Sequence, residues 1–276
     1  MLSLLLGAAL TVIAGSPPST PPSELRRIPA KEARQGVASD GRYVYAIDNS
    51  RIGKYRVADG VRVAQWSGDP ALVPHLNSCA IEGRELVCAS SNYPAVPQTS
   101  SIEYFDRGTL RHLRSRKLGA TEGSLTTFDR HDRSWWAVFA QYDGKGGAPG
   151  KDHRSTRLVQ FDRRFQEVRQ WTLPAALLDR LKPYSISGAS WSNDGRLALS
   201  GHDRPEIYLV TLPRTGNVLQ LEATVPIGTR GQAIAWDANK RHAIWSISRS
   251  DRALVLSDFS FAMKASRPVA PNKPRI

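Results

Sequence analysis

One plan recurs along this chain: a short apolar strand, a polar turn and a second apolar strand. Residues 189–200 read ASWSNDGRLALS, and residues 232–246 read QAIAWDANKRHAIWS. Asp40-Gly41-Arg42-Tyr43-Val44-Tyr45 opens a third copy, and residues 79–90 and 125–139 are looser ones. A unit this small cannot bury its own apolar face, so successive units must stack. The repeat dictates a scaffold before any residue is given a chemistry.

A polar pair such as Asp40-Gly41 between two apolar runs is a hairpin signal. The second strand of each unit alternates, as in Tyr43, Tyr45 and Ile47 or Trp135, Ala137 and Phe139. Two more strands follow in most units: 52–57 and 61–66, 101–105 and 110–118, 157–161 and 167–173, then 207–211 and 219–225. Anchored on Ala38, Ile81, Phe128, Trp191 and Trp236, the units repeat every 43 to 47 residues, with one longer step of 63. That step holds a Gly-rich insertion at 142–154 and a short helical stretch at 174–181.

Four strands per unit at this spacing predict an all-β fold, a β-propeller of five blades, or six if the long third unit splits. Long helical periodicity is missing, which argues against βαβ architecture. The last unit lacks an outer strand, and residues 24–28 can supply it from the N-terminal side, closing the ring. The propeller is thus expected over residues 24–262. Trp135, Trp136, Trp191 and Trp236 follow the repeat and read as packing between blades. The basic, Pro-containing residues 263–276 read as a flexible tail.

The chain begins MLSLLLGAALTVIAG and continues SPPSTPPS. The apolar run is short for a bilayer span and ends in small residues. Residues 1–23 read as a secretory segment, or an N-terminal membrane anchor, followed by a Pro/Ser linker. A secreted or periplasmic protein is expected. Export gives meaning to Cys79 and Cys88, which flank a four-residue turn and face each other across it. They are either a disulfide or two small buried thiols.

The 38 Lys and Arg against 25 Asp and Glu give a formal charge of +13. Such a balance favours anionic partners, an anionic envelope surface among them. The charge is spread over many short blocks, so sequence-specific nucleic-acid binding is not expected. A monomer is.

The blade pattern over residues 24–261 resembles that of the calcium-dependent lactonase-like, NHL and YWTD-like propellers. This resemblance implies either a ligand-binding module or a hydrolase. In lactonase-like members calcium sits in the central channel on a Glu, Asn and Asp set. Carried over, it implies Glu122, Asn77 and Asn49 as calcium ligands, with no fourth carboxylate evident.

In such a ring the residues just before each innermost strand gather at one face, together with the loops leaving the second strands. These positions nominate His75, His202 and Glu122 for acid, base or water-activating roles. They nominate Asn77, Asn92, Tyr93, Tyr142, Tyr184, Arg230 and Gln232 as ligand contacts. Each histidine equally reads as a surface residue, and Glu122 as a loop carboxylate or a partner of Arg230. Ser124 and Ser187 sit in no nucleophile-elbow pattern. The Gly-rich 142–147 segment lacks the Lys-Ser or Lys-Thr ending of a phosphate loop, and no zinc or calcium-loop motif is present. The expected function is binding of a small or glycan-like molecule in a central pocket. A lactonase-like metal-dependent hydrolase and a basic scaffold for an anionic polymer or protein are the alternatives.

Overall fold

The computed structural model describes residues 21–265. The predicted secretory segment up to residue 20 and the tail from residue 266 lie outside the described residues. The chain forms five antiparallel four-stranded sheets. The first four are continuous in sequence, over residues 36–67, 76–120, 124–172 and 188–226. Their innermost strands are β2 (Gly36–Ser39), β6 (Leu76–Glu82), β10 (Ser124–His131) and β14 (Gly188–Trp191). The fifth sheet is made of β18 (Ala235–Trp236), β19 (Ala243–Ser248) and β20 (Ala253–Asp258), completed by β1 (Glu24–Pro29). The protein is a five-bladed β-propeller closed by its N-terminal strand.

The second strand of each blade is buried on both sides, which simple alternation does not convey. In β3 (Tyr43–Asp48), Val44, Ala46, Tyr45 and Ile47 are all fully buried. Alternate side chains of a strand point to opposite faces. Val44 and Ala46 therefore join Trp245, Ile247 and Leu254 of blade 5, while Tyr45 and Ile47 join Leu86, Cys88 and Phe105 of blade 2. The same division repeats around the ring. Val87 and Ala89 pack with Ala137 and Phe139; Trp136 and Val138 pack with Leu197 and Leu199; Ala198 packs with Ile244. Five cores, one at each blade junction, replace a single central one. Outer strands such as β13 (Glu167–Thr172) are largely exposed.

The long step between blades 3 and 4 is explained by two features. The loop between β11 (Ser134–Ala140) and β12 (Arg157–Phe161) is extended, and helix α1 (Ala175–Leu181) inserts before β14. Leu177 and Leu181 of α1 bury against Trp171 and Trp191, extending the core of that junction. A second short helix, α2 (Ser260–Ala265), follows β20, so its last three residues overlap the stretch expected to start the tail. Cys79 and Cys88 are register partners on β6 and β7 (Glu85–Ser91), and a disulfide joins them.

Candidate functional site: the two ends of the central channel

Every innermost strand runs in the same sense along the ring axis. The ring therefore has an entry face, where these strands begin, and an exit face, where they end.

The entry face holds the residues that the repeat nominates. Five aromatic side chains gather there. The rings of His75 and Tyr93 are 5.5 Å apart, those of Tyr93 and Tyr142 5.1 Å, and Tyr184 stacks on His202 at 4.1 Å. Burial dominates their ionisation. It pushes His75 down to about 4, against a smaller pull from Asp48, so its imidazole is neutral at pH 7 and is no acid near neutrality. It also lowers His202, although the Asp203 carboxylate, 2.6 Å from Nδ1, opposes the shift. Tyr142 is raised by burial and Tyr93 likewise, with the nearby Tyr184 adding to the latter.

The other nominated residues serve the scaffold. Asn77 is buried, and its amide donates to Leu125 O at 2.8 Å and Ser91 Oγ at 3.3 Å. Asn92 braces its own loop, donating to Pro97 O and accepting from Thr99 N. Gln232 is buried with a positive φ of 69°, its N–H on Gly201 O and its carbonyl taking Ser200 Oγ. Glu122 and Arg230 are exposed, and no ion pair joins them among the described residues. The Gly-rich loop, open in composition, is stitched down. Gln98 donates to Gly146 O and to Gln141, and Gln141 Oε1 accepts from Ala148 N.

The residues nominated for calcium are engaged separately. Glu122 is exposed, the Asn49 side-chain oxygen is occupied by Gln35 Nε2 at 3.0 Å, and Asn77 is anchored through its amide nitrogen. Calcium takes six to eight oxygens, more than these three side chains supply. Among the described residues one group has metal-ligand spacing: Asp143, Asp152 and His153, with ligand atoms within 4.8 Å. One oxygen of Asp143 and both of Asp152 already have donors, while His153 Nε2 has none. Asp143 accepts from His153 N and Nδ1, and Asp152 accepts from Arg154, which holds it down at about 2.

The entry end of the channel is packed shut. Ser78 of blade 2 donates to Ser187 O at the start of blade 4, a contact across the axis, at 3.4 Å. A Cβ at Gly36 would collide with Asn77 O, and one at Gly188 with the Ala233 backbone. Backbones approach here as only glycine permits.

The exit end is open. All five innermost strands line a cavity of about 360 Å³, with Ala38, Ala80, Asp129, Trp191 and Trp236 among its walls. Small residues of four of these strands, Ala38, Ala80, Ala189 and Ala235, leave this space. Side chains stitch each blade junction around it. Asp129 accepts from Trp191 N at 3.1 Å, Ser190 accepts from Trp236 N at 3.2 Å, and Asp237 accepts from Ser39 Oγ at 3.2 Å. Arg130 donates to Glu82 at 2.8 Å, and Tyr45 Oη donates to Arg107 O at 3.2 Å. Asp237 is fully engaged, also taking Trp245 Nε1 and two turn N–H groups. Asp129 differs. Burial raises its carboxyl to about 6, against two backbone donors that lower it. A carboxyl that titrates near neutrality can both donate and accept a hydrogen bond in the cavity. The repeat places Trp191 and Trp236 between blades and nominates none of these exit-face residues as ligand contacts; the signal for the cavity lies in Ala38, Ala80, Ala189 and Ala235, small residues of four of the five innermost strands.

No family of known sequences and no curated protein matches this chain. Solved structures match its fold. The luciferin-regenerating enzyme superimposes with a TM-score of 0.52 at 10% identity, over 84% of this chain and 93% of that one. The PQQ-bound aldose sugar dehydrogenase of Streptomyces coelicolor superimposes with a TM-score of 0.53 at 11% identity, over 88% and 99%. These likenesses are of propeller architecture. Among the described residues no helix is long and apolar enough to cross a membrane.

Proposed function

We propose that this propeller binds a small, hydroxyl-rich, glycan-like molecule in the exit-face cavity, as a secreted or periplasmic monomer. The convergence of all five innermost strands on one polar-rimmed cavity carries the reading. Its volume sits at the low end of small-ligand pockets, about 300–1,000 Å³. Asp129 offers a carboxyl to a hydroxyl, and the half-buried Trp236 ring offers an apolar wall. The Cys79–Cys88 disulfide supports an oxidising compartment. Cationic side chains on the outer strand β9 (His112–Ala120), such as Arg114, Arg116 and Lys117, oppose edge-to-edge pairing and support a monomer.

Tryptophan emission tests this, because Trp191 and Trp236 line the cavity. Titration with glucose, N-acetylglucosamine and maltose should give a saturable change with at least one sugar, and Trp236→Phe should remove most of it. A flat signal across all three, with no binding heat, would sink the proposal.

A hydrolase is the second reading. One observation favours it: a cavity carboxyl poised near 6 has the ionisation a general acid or base needs. It transfers the catalytic role from His75, His202 and Glu122 to Asp129. Turnover of nitrophenyl esters and glycosides that Asp129→Asn abolishes would establish it; no turnover of either would discard it.

A further inference from the structure

We infer that the exit-face cleft between blades 1 and 2 is a binding site for a phosphate- or sulfate-type oxyanion. This cleft, about 560 Å³, is lined by Arg42, Lys54, Arg84 and Arg107 against only Asp40 and Asp106. Each carboxylate turns one oxygen into the backbone. Asp40 accepts from Arg42 N, Tyr43 N and Tyr45 Oη. Asp106 accepts from Thr109 N at 2.7 Å and Thr109 Oγ1 at 2.9 Å. Their hydrogen bonds hold turn structure, and two carboxylates facing four cations leave the cleft net positive.

The cations are correspondingly under-neutralised. Arg42 and Arg84 are exposed and form no ion pair among the described residues. Arg107 has one, a loose approach to Asp40 at 3.7 Å. Lys54 is buried, with 6% of its surface exposed, and forms no ion pair among the described residues, although Asp40 and Asp106 act on it through space; Nζ donates to Arg107 O and Gly108 O, both at 3.0 Å, and lies 4.1 Å from the Tyr43 ring centre. These contacts fix the ammonium in place without cancelling its charge. A cleft lined by one sign of charge focuses its field and draws in counter-ions. Guanidinium groups then match a tetrahedral oxyanion through paired N–H donors.

Asp40 and Arg107 also line the axial cavity. The two spaces adjoin, so a ligand with a hydroxylated body and one oxyanion spans both. This second step rests on the axial reading above; the cleft's hold on a free oxyanion does not.

The full chain is titrated calorimetrically with inorganic phosphate, sulfate, glucose and glucose 6-phosphate. Phosphate or sulfate alone should bind saturably. Arg42→Gln and Arg84→Gln should each weaken that binding about tenfold, with thermal midpoints unchanged because both side chains are exposed. Absent binding, or binding that both variants leave intact, overturns the oxyanion site. Glucose 6-phosphate should bind more tightly than phosphate; equal affinity overturns the spanning ligand. Phosphate binding without any response to glucose would remove the axial reading and leave the cleft standing.

Discussion

Ile28 is the register partner of Leu254, so the first described strand is the outer strand of the last blade. Ile28 is fully buried and packs with Leu254 and Leu256 against Val44 and Tyr55 of blade 1. Closure thus joins two blades as well as two ends of the chain. Ile28→Ala should cost about 2–4 kcal/mol, the usual cost of emptying a buried aliphatic site. Leu25→Ala, on the same strand but exposed, should cost under about 0.5 kcal/mol. Urea denaturation of the two variants checks this. Equal effects would mean that the closing strand contributes hydrogen bonds alone.

The Cys79–Cys88 bridge closes a short loop across a hairpin, with a sequence separation of 9. Loop-closure entropy for so short a loop is roughly 2–3 kcal/mol. The double Cys→Ala variant should therefore fold, but with a urea midpoint lowered by about that free energy. Treating the native protein with a thiol reductant should bring its midpoint to that of the variant. An unchanged midpoint would show that the hairpin is already held by β6 and β7.

Gly36 begins β2 with its Cα against the Asn77 carbonyl of the next blade, and a Cβ there would strike that backbone oxygen. No side-chain rearrangement relieves such a clash. Gly36→Ala should destabilise by about 1–3 kcal/mol, the cost of overpacking. Gly228→Ala, where a Cβ meets nothing within 4 Å, should be near neutral. Thermal melts of both variants decide the matter. If Gly36→Ala is equally neutral, the entry end is not sealed by backbone approach.

That seal marks the limit of what local sequence conveys. The Asp40-Gly41 turn, the alternation in 43–47 and the missing fifth outer strand are local features, and they locate the blades. Which end of the channel stays open depends on the distance between Gly36 and Asn77, and between Gly188 and Ala233, residues brought together only by ring closure. The repeat gathers His75, Tyr93, Tyr142, Tyr184 and His202 at one face, yet it cannot report that their rings pack on one another. Asn49 and Asn77 have suitable ligand atoms, but amide orientation is set by Gln35 and by the Leu125 carbonyl, which no spacing rule reaches.

Asp129 gives the fold a pH dependence of definite sign. Burial raises its carboxyl from 3.8 to about 6, so the folded protein holds that proton more tightly than the unfolded chain does. Its contribution is complete below the unfolded value and is lost as pH rises through the folded one. His75 acts in the opposite sense. Lowered from 6.5 to about 4, it contributes above its unfolded value and loses that contribution as pH falls through about 4. The wild-type curve therefore mixes two opposed slopes, and a variant is needed to separate them. Asp129→Asn retains one side-chain acceptor and removes the titration. Relative to that variant, the wild type should lose stability between about pH 4 and pH 7, by at most about 3 kcal/mol. Urea midpoints of the two proteins across this range check the sign. Parallel curves would mean that the carboxyl ionises freely into water at the cavity mouth, and a wild type gaining on the variant would reverse the assignment of its environment.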